Sequence, residues 1–125
     1  MGETDLPRDV KAFIQRHLST GAQADVLVLL QRERRGWTAA QVGKELRIDT
    51  EQAASLLAAL QRSGLLRGDG GSYEYSPRDP RLEAVADSFG RLYPIYRVAI
   101  ISLIFSRPTG AIHDFSEAFR LRGDD

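Results

Sequence analysis

The sequence predicts one mostly α-helical domain of the α+β class, and three observations carry that prediction. Apolar residues recur at spacings of three and four through most of the chain, the period of helices buried along one face. Two adjacent segments, Thr38-Ala-Ala-Gln41 and Asp49-Thr-Glu-Gln52, open with helix-capping patterns only a short turn apart. One stretch, 65–75, sets short strand-like runs on either side of a Gly-rich centre. At 125 residues the chain has material for one core but not two.

The elements follow in order. Pro7 suits a first helical position, and Val10, Phe13, Ile14 and Leu18 share a face, so a helix is expected up to Thr20-Gly21. A second runs from about Ala22 to Arg35, with Ala24, Leu27, Val28 and Leu30 inward and Gly36 as its stop. Arg34 and Arg35 lie near the negative end of its dipole. Trp37-Thr38 form a short strand, and Thr38 caps a helix that ends at Leu46. Arg47-Ile48-Asp49 make a turn with Ile48 aimed inward, and Asp49 is the expected cap of the next helix. There Ala53, Leu56, Leu57 and Leu60 form the buried stripe, closed by Ser63-Gly64.

The hairpin follows, turning at Gly68 to Gly71. Asp79-Pro80 then start a long helix whose stripe runs through Leu82, Ala86, Phe89, Tyr93, Tyr96 and Ile100. Pro94 should kink or interrupt it, because its ring removes an amide donor and clashes with the preceding turn. Beyond Pro94 the opposite face is apolar too, through Ile95, Val98, Ile101 and Phe105, and Pro108-Thr-Gly110 end the helix. A helix apolar on several sides needs several covers, and a second subunit is the natural one. Those four residues are therefore the expected dimer interface. A short helix from about His113 to Leu121, carrying Phe115 and Phe119, closes the chain.

The order of helix, short strand, helix, turn, helix and two-stranded hairpin resembles a winged helix-turn-helix domain. The stretch "GWTAAQVGKELRIDTEQAASLLAALQRSGLL…YEYS" is similar to MarR- and ArsR-like bacterial regulators. The resemblance covers about residues 22–76, a little under half the chain, and its motifs are mostly structural positions. It implies three regions: an N-terminal helix at 1–21, a winged helix-turn-helix with a two-stranded wing at 22–76, and a C-terminal dimerisation region at 77–125. It also implies a homodimeric, DNA-binding transcriptional regulator acting on duplex DNA. By that resemblance Thr50, Glu51, Gln52 and Ser55 would face base edges. Lys44, Arg47, Arg62 and Arg67 would hold phosphates. Gly43 departs from the pattern, since alanine is usual there; two helices crossing closely would account for it.

Charge argues less clearly for DNA. The chain has 17 basic and 17 acidic residues, balanced in each region, with no basic excess of the kind a strong nucleic-acid binder shows. The predicted reading helix opens on Glu51 and has no Lys or Arg before Arg62, and the wing tip carries Asp69. The alternative is a winged helix whose neutral face docks an unidentified protein partner, with little or no DNA binding. A variant of the first reading is a ligand sensor with Phe89, Tyr93 and Tyr96 lining a pocket, although core packing explains those residues equally. Trp37, Tyr73 and Tyr75 are expected to pack the hairpin onto the helices.

Other classes find little support. There is no Cys, and the two histidines, His17 and His113, lack metal-ligand spacing, so no metal and no cofactor is expected. No nucleophile elbow, P-loop or dinucleotide fingerprint occurs, and the protein is not expected to be an enzyme. The polar N-terminus and an interrupted apolar stretch of about 14 residues, against the roughly 20 that cross a bilayer, point to a cytoplasmic protein with no membrane partner.

Overall fold

In the computed structural model, residues 6–106 are described; the anticipated helix around Phe115 and Phe119, and the stop at Pro108, lie outside them. The elements are α1 (Arg8–His17), α2 (Gly21–Arg32), β1 (Trp37–Thr38), α3 (Ala39–Leu46), α4 (Thr50–Arg62), β2 (Leu66–Asp69), β3 (Ser72–Tyr75), α5 (Pro80–Leu92) and α6 (Arg97–Ser106). The result is a mostly helical α+β fold with one three-stranded antiparallel sheet, ordered β1-β3-β2.

Helix α2 is the centre. It packs on α3, α4, α5 and β3, which is why Ala24, Val26, Leu27, Leu29 and Leu30 are all buried. Thr20 caps α2 rather than ending α1: its hydroxyl accepts from the Gln23 amide at 3.1 Å. Gln23 Oε1 accepts in turn from the Ser19 amide at 2.7 Å, so this buried glutamine is satisfied. The helix stops at Arg32, three residues short of the expected Arg35. The indole N–H of Trp37 donates to the Glu33 carbonyl at 3.0 Å, anchoring the exit before another turn can form. Arg35 then lies over the Trp37 ring, 3.7 Å from its centroid.

The hairpin turns on two residues. Gly70 (φ 61°) and Gly71 (φ 87°) are both left-handed, as a tight hairpin turn requires, while Gly68 and Asp69 belong to β2. Arg67 faces Glu74, and Trp37 pairs with Tyr73, so β1 joins the free edge of β3. Trp37 and Tyr75 are buried and Tyr73 half-buried, as expected of aromatics that pin a sheet to helices.

The long C-terminal helix is not continuous. It divides into α5 and α6, whose axes differ by 119°. Pro94 has no N–H to give the preceding turn, and the Ile95 and Tyr96 amides both converge on the Leu92 carbonyl, at 3.0 and 2.9 Å. Reversal lets α6 return over α1, burying Ile100 and Ile104. Ile101 packs over Gly21, where a β-carbon would stand 2.9 Å from its Cδ1. Among the described residues no single helix is long and apolar enough to cross a membrane.

Phe89 is fully buried where α1, α2 and α5 meet, its ring 5.5 Å from those of both Phe13 and Tyr93. Burying such a side chain stabilises the fold by about 1.5–3 kcal/mol. Phe89 is thus a core residue, whereas the largely buried Tyr93 also lines a cleft of about 460 Å³ with Asp25, Leu46 and Arg97. The Tyr93 hydroxyl donates to Asp25 at 2.6 Å, and Arg97 lies 3.6 Å from the same carboxylate. Burial, then the hydrogen bond and charge of Asp25, push the Tyr93 pKa up to about 12.

Candidate nucleic-acid interface

Helices α3 and α4 form a tight helix-turn-helix corner. Thr38 and Gln41 make the expected capping box, the hydroxyl accepting from the Gln41 amide at 3.1 Å and Gln41 Oε1 from the Thr38 amide at 3.0 Å. At the far end Arg47 closes α3 in the left-handed region (φ 60°, ψ 48°), an unusual conformation for a residue with a β-carbon. The Ile48 amide then bonds back to the Gly43 carbonyl at 2.9 Å. Gly43 has no room for a side chain: a β-carbon there would lie 2.8 Å from the Ile48 carbonyl oxygen and 3.5 Å from the Thr50 nitrogen. The glycine is required by the turn's own backbone, more locally than a crossing of two helices.

Asp49 occupies the N-cap position of α4, but its side chain makes no capping bond, contrary to the pattern expected of Asp49-Thr-Glu-Gln52. The first turn of α4 keeps backbone donors without a side-chain acceptor. On that turn Thr50, Glu51 and Gln52 are exposed, and so is Ser55 one turn later. Ala53, Leu57 and Leu60 are buried on the other side, against α2 and α3. One face of α4 is thus committed to the core and the other is free.

The four anticipated phosphate holders do not form one group. Lys44, in the last turn of α3, and Arg47, its C-cap, are both exposed, and Arg47 stands three residues before Thr50. Arg62 is exposed in the last turn of α4, about 18 Å along the axis from Thr50 at 1.5 Å per residue. At 100° per residue it falls on the stripe of Glu51 and Ser55. Arg67 is already engaged: its Nη2 donates to Glu74 Oε1 at 2.7 Å across the hairpin. Lys44, Arg47 and Arg62 make no ion pair among the described residues. Three free cations therefore stand against the exposed carboxylates of Glu45, Asp49, Glu51 and Asp69. The surface is polar and close to neutral.

The expected dimer residues also divide. Ile95, Val98 and Phe105 are 68%, 80% and 77% exposed, while Ile101 is half-buried within its own chain. A network that the periodicity gave no reason to expect ties the hairpin to α5. The Tyr75 hydroxyl donates to Asp87 at 2.7 Å, and Arg34 lies 3.5 Å from the same carboxylate and 4.8 Å from the Tyr75 ring centroid. Burial, then the bond to Asp87, push the Tyr75 pKa well above the ordinary phenol value. The only hint in the sequence was Asp87, a lone acid between Ala84-Val85-Ala86 and Phe89.

The chain matches no protein-family model, no curated protein and no solved structure.

Proposed function

We propose that this protein is a winged helix-turn-helix transcriptional regulator that binds duplex DNA as a homodimer. The observation that carries the reading is the free face of α4. Thr50, Gln52 and Ser55 are exposed on its first two turns, opposite a buried face, and Lys44 and Arg47 are exposed on the end of α3 and the turn that lead into it. Gln can pair bidentately with adenine, Ser and Thr bond to several bases, and Glu51 can accept from cytosine. The β2–β3 hairpin directly after the helix pair, with β1 from just before that pair on the β3 edge, is consistent with a wing beside a reading helix.

Affinity is the weak point of a monomer. With Arg67 held by Glu74, each subunit offers three cations instead of four, so a dimer's salt slope falls from about 7 to about 5 at 0.9 per neutralised phosphate. Two subunits are needed to hold on, and the exposed Ile95, in the turn before α6, with Val98 and Phe105 of α6, are the surface proposed to join them. The rival reading, a winged helix that docks a protein, draws on the same Arg67–Glu74 pair and on the exposed Asp69 at the wing tip. A wing so charged has little attraction for a minor groove.

Selection of the purified protein against a random duplex library, with the bound pool titrated at two salt concentrations, decides between them. Enrichment of a two-fold symmetric motif with a slope near 5 supports the dimeric reader. No enrichment, with only weak binding at low salt, removes the DNA reading and leaves the docking surface.

A further inference from the structure

A cleft of about 440 Å³ opens between α1 and α5, on residues that the DNA reading does not use. Its volume is that of a small-molecule site. Phe13 and Leu82, both buried, form its floor with the half-buried Val85. Arg16 from α1, Arg78 from the segment after β3 and Arg81 from the first turn of α5 stand exposed around it, and His17 lies between them.

The carboxylates at the same rim are Asp9 and Asp79. Asp79 is occupied, since Oδ1 accepts from the Leu82 amide at 2.8 Å to cap α5 and Oδ2 lies 3.9 Å from Arg78 Nε. Arg16 and Arg81 make no ion pair among the described residues. Like charge therefore converges. The His17 pKa is lowered first by burial and then by the charges of Arg16 and Arg78. An anion seated there would relieve the repulsion and gain guanidinium hydrogen bonds, while an apolar body behind it would cover the floor.

We propose that the α1–α5 cleft binds a small organic anion, a carboxylate on a short apolar body. The headgroup sits among Arg16, Arg78 and Arg81, and the tail lies along Phe13, Leu82 and Val85. A planar carboxylate matches the guanidinium fork. A nucleic-acid strand would leave the apolar floor unused and meet Asp9 and Asp79. Arg78 Nη1 also donates to the Ser63 carbonyl at 3.3 Å, at the C-cap of α4, so a bound anion engages the side chain that holds that helix end. The proposal stands independently of DNA binding.

The test is an amide-resolved NMR titration of the full chain with octanoate, with 1-octanol and acetate as tail-only and headgroup-only probes. Octanoate should move the amides of residues 13–17 and 78–85 and bind at least tenfold more tightly than either probe. Arg16→Ala and, separately, Arg81→Gln should each weaken octanoate severalfold; both side chains are exposed, so the fold should survive. Arg91→Ala, outside the cleft, should leave it unchanged. Octanoate should also raise the His17 imidazole pKa, because a neighbouring anion favours the imidazolium. Asp9, Arg16, Arg78, Asp79 and Arg81, which line the cleft with it, are present with and without octanoate. Equal binding of octanol would make the cleft a bare apolar surface and overturn the proposal. So would wild-type affinity in both arginine variants, or shifts centred on Val98 and Phe105 instead.

Discussion

Replacing Gly43 with alanine sets two effects of known sign against each other. Within a helix the change gains about 1 kcal/mol of propensity. Against that, the new β-carbon would sit 2.8 Å from the Ile48 carbonyl oxygen, closer than real β-carbons come to any atom, with the Thr50 nitrogen at 3.5 Å and the Asp49 carbonyl carbon at 3.6 Å. Every atom it meets is backbone, so no side chain can swing aside. Relief requires opening the turn, which stretches the 2.9 Å bond from the Ile48 amide to the Gly43 carbonyl. Overpacking of this kind costs about 1–3 kcal/mol, and losing the bond adds about 1. The expected net is a destabilisation of about 1–3 kcal/mol, or a fall in Tm of about 4–12 °C for a domain this size. Urea unfolding followed by far-UV circular dichroism measures it, with an unchanged m-value marking a native-state effect. A variant stabilised by the full propensity gain would refute the tight turn, and with it the placement of α4 against α3.

Three further outcomes follow from other residues. Arg47→Gly should stabilise the protein by about 0.5–1 kcal/mol by the same assay, since glycine adopts φ 60° without penalty while adding freedom to the unfolded chain. If DNA is bound, the variant should bind it more weakly, so the two readouts part company; lowered stability would contradict the left-handed assignment. Val98→Glu, at a position 80% exposed, should leave the thermal midpoint of the monomer nearly unchanged but abolish a dimer in sedimentation equilibrium. An unaltered mass would show that α6 is not the joining surface. His17 governs a pH effect: its folded pKa lies below 6.5, so the unfolded chain takes up protons first as pH falls. The stability it confers is complete above about pH 6.5, is lost as pH falls toward the folded pKa, and is then lost no further. His17→Gln should flatten that part of the stability–pH curve, and an identical slope in both proteins would remove burial as the cause.

Local signals located most of the elements. The Thr38 capping box, the Asp79-Pro80 start of α5 and the left-handed glycines of the hairpin were all legible, because each depends on residues within four positions. The stripe of Ala53, Leu57 and Leu60 was legible too, which made the exposure of Thr50, Gln52 and Ser55 predictable. Element ends were harder. Thr20 serves the helix after it, α2 ends where the Trp37 indole folds back four residues to reach Glu33, and Asp49 stands at a cap without capping.

What the sequence determined by itself, then, is the succession of helices and strands and the face each one buries, since periodicity and capping are properties of neighbouring residues. Only the tertiary structure decided what those faces meet. That Pro94 turns the chain through 119° instead of bending it, that Ile101 is spent on Gly21 while Val98 stays exposed, that Glu74 removes Arg67 from the cations of the α4 face, and that arginines from three places line one cleft with His17 all depend on contacts between elements. Charge and apolar surface are counted along a chain, but they act only by distance, and distance is set by packing.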